Sequence, residues 1–168
     1  MTNILALDTG LHCGWAASLG EPRVQTHGLT REITVIHPTV FSGVWNLKPK
    51  AREGYGRRFV KFRKHLVETL VLLEIGKVVY ERVRRHMGTD AAHSFGGFIA
   101  HLTEICEEHG IPYEGFEVGT IKKVVTGYGG ADKKLMIKVA KILYPGIEPQ
   151  DDNEADALGI LYTAEYGG

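Results

Sequence analysis

The chain is poor in sulfur, interrupted wherever its apolar stretches begin to lengthen, and electrically balanced. Each shortage closes off a class of protein. Two cysteines, Cys13 and Cys106, occur among 168 residues. They show no metal-type pairing, which excludes a disulfide scaffold or thiolate zinc site and points to a reducing, cytoplasmic setting. The longest apolar stretch, residues 66–75, contains Glu68 and Glu74. It falls far short of the roughly 20 residues a membrane helix needs, so no membrane partner is expected. Met1-Thr2-Asn3 carries no basic region or cleavage site, so no signal peptide is expected. The eight histidines include no His-Glu-x-x-His or comparable zinc spacing. Formal net charge is zero, which taken alone argues against a strong nucleic-acid binder.

The distribution of charge says otherwise. Residues 48–64 hold eight Lys or Arg against one acid, Glu53, and residues 122–141 hold six Lys against one acid, Asp132. Arg82, Arg84 and Arg85 form a third block. Seventeen of the twenty basic residues lie in these blocks, whereas residues 87–121 contain six acids and no Lys or Arg. One block alone reads as the solvated face of a helix. Three blocks, one of them abutting Glu81, predict a track for a polyanion. The candidate contacts are Arg57, Arg58, Lys61, Lys64, Arg82, Arg84, Arg85, Lys122, Lys123, Lys133 and Lys134.

At 43% hydrophobic and 24% charged residues, the composition is that of a soluble globular protein, and its length suits one domain over residues 1–168. Residues 3–8 read as a strand. Residues 14–18 and 24–29 read as two strand arms around Gly20-Glu21-Pro22, and residues 39–47 as a further strand. After Gly54-Tyr55-Gly56, the residues Phe59, Phe62, Leu66, Leu70 and Leu73 recur at helical spacing with a basic face opposite. Residues 77–80 form a strand ending at Glu81. A helix over residues 91–109 is closed by Gly110 and Pro112, and residues 112–118 form another strand. Helices over residues 120–125, 131–143 and 152–165 complete the chain, the last with an acidic first turn that suits its dipole. This order predicts an α/β domain, a mixed sheet with helices on its faces.

Three acidic sites stand at the edges of apolar elements. Asp8 closes Ile4-Leu5-Ala6-Leu7, Glu81 closes Val78-Val79-Tyr80, and Asp151-Asp152-Asn153-Glu154-Ala155-Asp156 opens the last helix. Each has a plain structural explanation: a turn with Gly10 for Asp8, an ion pair with Arg82 or Arg84 for Glu81, and helix capping for Asp151 and Glu154. Capping does not account for Asp156, a turn inside the helix, which shares a face with Asp152 or with Asn153. Ionised carboxylates beside buried strands need compensation. Carboxylates gathered by folding suggest divalent cations, and oxygen-only ligation favours Mg²⁺ or Mn²⁺ over zinc. Phosphodiester hydrolysis is the chemistry such sites commonly serve. Asp-Thr-Gly also occurs in aspartic proteases and resembles the Asp-x-Gly of actin-like ATPases. The first reading leaves Glu81 and Asp156 idle, and the second needs two lobes from a chain too short for both. Gly127-Tyr128-Gly129-Gly130 is no dinucleotide fingerprint, but it would let the backbone approach a sugar-phosphate chain closely.

Four segments in order resemble the RuvC-like Holliday junction resolvases of the RNase H-like superfamily, most closely the bacteriophage-borne members. They are Leu5-Ala6-Leu7-Asp8-Thr9-Gly10 with Gly14-Trp15-Ala16, then Val78-Val79-Tyr80-Glu81, then Thr120-Ile121-Lys122-Lys123 through Asp132-Lys133, and finally Glu154-Ala155-Asp156-Ala157-Leu158. The resemblance implies an RNase H-like mixed five-stranded sheet with helices on both faces. It implies a homodimer that binds a four-way DNA junction and nicks two strands of like polarity, leaving 5′-phosphate and 3′-hydroxyl ends. It implies two Mg²⁺ per active site, replaceable by Mn²⁺, with Asp8 bridging, Glu81 on one ion and Asp156 on the other. Lys122 and Lys133 carry over as catalytic cations near the scissile phosphate. A bacterial or phage-infected bacterial cell would be the setting.

The chain departs from that pattern in places. Asp-Thr-Gly stands where Asp-Pro-Gly is usual, and Arg84 stands where bacterial members carry an aromatic residue. The acid expected three residues before Asp156 is Asn153. Asp152 is expected to replace it as the fourth metal-site residue, with the Asn153 amide as the alternative. A ribonuclease H-like or flap-directed nuclease, and a non-catalytic junction-binding protein, are the rival readings. For the dimer, the expected surface is the helix segment 91–101, where Ala91, Ala92, Ser94, Gly96, Gly97 and Ala100 are small and Phe95 and Phe98 offer anchors.

Overall fold

Alternation along the first strand decides how the layers assemble. In the computed structural model, which describes residues 2–20, 23–26, 33–36, 39–83 and 88–167, strand β1 (Asn3–Asp8) sends Leu5 and Leu7 into one core and Ala6 into another. Side chains on a strand point to opposite faces in turn. A strand that is apolar at successive positions must therefore be covered on both sides.

Strand β2 (His12–Leu19) pairs antiparallel with β1, and β5 (Thr39–Asn46) pairs antiparallel with β2. On the other side β6 (Ile75–Arg82) and β7 (Tyr113–Glu117) add in parallel, giving the order β5-β2-β1-β6-β7. The mixed five-stranded sheet is thus the one expected. Strands β3 (Arg23–Thr26) and β4 (Ile33–Ile36) form a separate two-stranded sheet. The arm expected over residues 24–29 is therefore no part of the main sheet, and its residues 27–29 lie outside the described residues. Strand β4 carries too short an apolar run to be read from sequence.

Helices α1 (Arg57–Leu72) and α2 (Thr89–His109) cover one face, with Phe62, Leu66, Phe98 and Leu102 fully buried or nearly so against Leu5, Leu7 and Val78. Helices α3 (Val118–Thr126), α4 (Lys133–Leu143) and α5 (Asp152–Tyr166) cover the other. Helix α5 crosses β5, β2, β1 and β6 while α3 and α4 lie on its outer side. It is sandwiched, which is why eight of its residues are buried. Helix α4 starts two residues later than residue 131 because the Asp132 side chain accepts the Leu135 N–H at 2.8 Å as its N-cap. The single acid in that basic block is thus a cap. No described helix is long and apolar enough to cross a membrane.

Candidate active site

Strand parity and register bring the first two acids together. Leu7 lies opposite Tyr80 across the parallel β1–β6 pair, so the next residues on the two neighbouring strands are Asp8 and Glu81. Both have the parity of Ala6 and Val79, which face α5. On the other side of β1, Asp8 pairs with Gly14. The first turn of α5 rests on that glycine: a Cβ at Gly14 would collide with the Asn153 carbonyl. Glycine here lets two backbones touch, and the contact lowers the α5 acids onto the strand ends.

Burial of Glu154 fixes the same end of α5. It is 3% exposed, accepts the Ser42 hydroxyl at 2.7 Å and takes the Gln150 N–H at 2.8 Å. Asp151 caps the helix by accepting the Glu154 N–H at 3.0 Å. The capping expectation therefore holds for Asp151, whereas Glu154 does something sequence reading missed: it ties α5 to β5. The signal was present, because Glu154 lies four residues before Leu158, on the buried stripe.

Burial and neighbouring charges set the ionisation of the acids. The Asp8 carboxyl is held well above the usual carboxylate range, first by burial, then by the charges of Glu81, Asp156 and Asp152, with Lys133 opposing. Glu81 is raised by burial and by Asp156, against Lys122. Burial and Asp152 push Asp156 up to about 6, against Lys133 and Lys122. Asp152 goes the other way because Lys133 donates a hydrogen bond to it. This pair is at the rim, with the two side chains 34% and 74% exposed, so it contributes little to stability. Asn153 instead donates its amide to Asp151 at 3.2 Å. Asp8, Glu81, Asp152, Asp156, Lys122 and Lys133 are linked in one electrostatic network through Asp8 and Asp156. Among the described residues, however, no three His, Cys, Asp or Glu side chains are grouped tightly enough to hold a metal ion as they stand. Asp152 is instead paired with Lys133 at the rim.

Two clefts meet at Glu81. A small one of ≈ 170 Å³ is lined by Glu81, Asp156, Lys122 and Lys133 on the α5 side. A larger one of ≈ 600 Å³ runs from Asp8, Thr9 and Glu81 to Arg58, Asp90 and Ser94 on the α1–α2 side. The Thr9 Oγ1, beside Asp8, is buried without a hydrogen-bond partner.

Several of the other expected DNA contacts are already engaged. Arg57 and Lys61 face Glu53 at 3.4 and 3.7 Å, Lys64 faces Glu68 at 3.9 Å, and Arg82 faces Glu117 at 3.9 Å. Lys123 and Lys134 are exposed. Arg84 and Arg85 lie outside the described residues. The expected dimer surface is corrected in part. Phe98 is 1% exposed in the chain's own core and cannot be an anchor, Gly97 makes room for Phe59, and Ser94 binds Tyr55 and Arg58. An alternating pattern of small and aromatic residues on a helix does not reveal which side meets its own sheet.

Sheet order and helix placement are those of the RNase H-like fold class. Within that class the fold is similar to that of RuvC. It superposes on the structure of T. thermophilus RuvC in complex with Holliday junction substrate with a TM-score of 0.73 at 20% identity, over 99% of this chain and 95% of that one. Crossover junction endodeoxyribonuclease RuvC of Rickettsia akari (strain Hartford) is 36% identical over 63 residues, 37% of this chain and 40% of that protein. The RuvC of Rickettsia bellii (strain OSU 85-389) is 47% identical over 49 residues, 29% and 31% of the two. The matched segments thus span two fifths or less of these curated relatives. No family model matches the chain.

Proposed function

We propose that the chain is a divalent-metal-dependent, structure-specific endodeoxyribonuclease that resolves four-way DNA junctions. One observation carries the reading: Asp8, Glu81 and Asp156, from β1, β6 and α5, converge so that Glu81 and Asp156 raise the pKa of Asp8 and Asp156 raises that of Glu81, on a RuvC fold. Three partly buried carboxylates whose charged forms are disfavoured where they stand suit a dication, and their donors are oxygen only. The unpartnered Thr9 hydroxyl is a further polar group that an incoming ligand would satisfy. Asp8, Glu81 and Asp156, joined by Asp152, would hold two Mg²⁺, with Mn²⁺ able to replace them. Such ions, when bound, activate water and stabilise the leaving 3′ oxygen, yielding 5′-phosphate and 3′-hydroxyl ends.

The protein's own groups do the rest. Lys122 lines the cleft with Glu81 and Asp156 and offsets phosphate charge there. Lys133, largely exposed, exchanges Asp152 for phosphate, which frees that carboxylate for the metal site. The unpaired part of the basic surface neutralises the duplex arms without reading bases. Two sites in a homodimer would cut opposed strands, joined through Ala92, Gly96 and Ala100, which repeat every four residues and stay partly or wholly exposed on α2. The setting is bacterial cytoplasmic DNA.

The test is a substrate panel with Mg²⁺ or EDTA: four-way junction, flap, RNA–DNA hybrid and linear duplex. Metal-dependent cutting of the junction ahead of the others supports the proposal. Preference for flap or hybrid would reassign the substrate, and tight junction binding without cutting would make the chain a binding protein.

A further inference from the structure

Arg58 is held in an unusual way for a surface arginine. Its Nε donates to the Tyr55 carbonyl at 3.0 Å, its Nη1 donates to the Ser94 hydroxyl at 3.0 Å, and its guanidinium carbon lies 3.9 Å from the centre of the Tyr55 ring. The Tyr55 and Ser94 hydroxyls bond each other at 2.9 Å. Every one of these partners is neutral. Neighbouring cations are paired with acids, Arg57 and Lys61 with Glu53 and Arg63 with Glu104 and Glu108. No carboxylate pairs with Arg58 among the described residues. Its charge is therefore fixed in direction and left uncompensated, with three of its five N–H groups unspent.

The surroundings reinforce this. Arg58 lies in the first turn of α1, where a positive side chain opposes the helix dipole and an acid would be favoured. That turn carries no acid, and its N-cap, Gly56, makes no side-chain cap. Helix α2, whose residues Asp90 and Ala91 line the same cleft, is likewise without a side-chain cap. Two uncapped helix starts and an uncompensated guanidinium thus border one cleft, whose other wall is Asp8 and Glu81. A cation fixed in direction, with no acid to compensate it, beside two uncapped helix starts marks a place where a ligand supplies the missing charge. Asp90 is the one acid on this wall and sets a limit on how much negative charge the cleft accepts.

We infer that Tyr55, Arg58 and Ser94 form a preassembled clamp for a backbone phosphate next to the scissile one, on the wall opposite Lys122 and Lys133. The inference rests on the nuclease reading and extends it: the cut strand is gripped from both sides of the acids, by lysines on the α5 side and by Arg58 on the α1–α2 side. Tyr55 and Ser94 are positioning residues, acting through Arg58.

The experiment measures binding of an immobile four-way junction to the full chain, in Ca²⁺ to prevent cutting, over a range of salt concentrations. Arg58→Ala should weaken binding about tenfold and reduce the slope of log affinity against log salt by about one, the loss of one phosphate contact. Arg58→Lys should keep the slope and still lose affinity severalfold, since the ammonium cannot use both neutral partners at once. Tyr55→Phe, which keeps the ring and the carbonyl, should stay close to wild type, and Tyr55→Ala should fall between. A merely structural Arg58 would lower the melting temperature and leave the slope alone. A wild-type slope in Arg58→Ala, in a chain that still binds and cuts junctions, overturns the clamp by itself. A wild-type chain that neither binds nor cuts branched DNA overturns the nuclease reading and takes the clamp with it.

Discussion

Asp8 is disfavoured as a carboxylate first by burial and then by three other acids, with only Lys133 opposing them. Replacing it by Asn removes the charge proposed to bridge two ions but leaves the basic surface intact. Asp8→Asn is expected to abolish cleavage while junction affinity stays within about threefold, since affinity follows phosphate neutralisation. Gel-based cutting assays and anisotropy titrations check the two halves separately. The raised carboxyls also set a pH dependence. Asp156 titrates near 6 in the fold and near the ordinary aspartate value, about 4, when unfolded. Between those values the folded state binds more protons, so stability is highest below the lower one and declines as pH rises through the upper one. Glu81 and Asp8 shift in the same direction. A dication that favours the ionised forms should offset this loss. The rise in melting temperature on adding Mg²⁺ to EDTA-treated protein should therefore be larger at pH 8 than at pH 5. Equal rises would mean that the acids do not share the ion.

Helix α5 is the element that turns scattered acids into a site. Its first turn is set by contact with Gly14 and by the Ser42–Glu154 tie. Gly14→Ala should cost about 1–3 kcal/mol or more in thermal unfolding, as overpacking does. It should also reduce cutting beyond what the lost stability explains, although Gly14 itself binds nothing. The same turn decides the fourth acid. Asn153 has its amide on Asp151, whereas Asp152 faces Lys133 and contributes to the raised Asp8 pKa. In a Mg²⁺ titration, Asp152→Asn should lower cleavage by orders of magnitude at unchanged affinity, and Asn153→Ala should be milder. The reverse ranking would assign the role to the amide. Much of this was legible in sequence. Apolar runs ending in Asp8 and Glu81, and an acid one turn inside an apolar helix, foretold which residues meet. What sequence could not supply was contact across the sheet. Gly14 reads as the start of a strand and part of a family motif, and Glu154 as a cap, and neither shows its contact until β2 and β5 are placed beneath α5. Helix ends moved by one or two residues where local capping, as at Asp132, decides them.

On the scale of the molecule, the two faces of the sheet divide the work: α5 brings Asp152 and Asp156 to Asp8 and Glu81 on the strands, α3 and α4 bring Lys122 and Lys133, and α1 and α2 bring Arg58 and the exposed small residues. Only part of the expected α2 surface remains open, because Phe98 and Gly97 are used internally. Light scattering at micromolar concentration should still give a dimer mass, and Gly96→Arg should reduce it to a monomer; a wild-type monomer with and without junction DNA would remove the dimer. Although net charge is zero overall, three cations from blocks far apart in sequence, Arg58, Lys122 and Lys133, line the clefts beside the acids. The most direct test of the central claim is nick mapping on an immobile four-way junction labelled in turn on each strand, with Mg²⁺, followed by ligase. Paired nicks in two strands of like polarity, in products that ligase seals, are the predicted result. Unpaired nicks, ends that ligase cannot seal, or no nicks at all would contradict it.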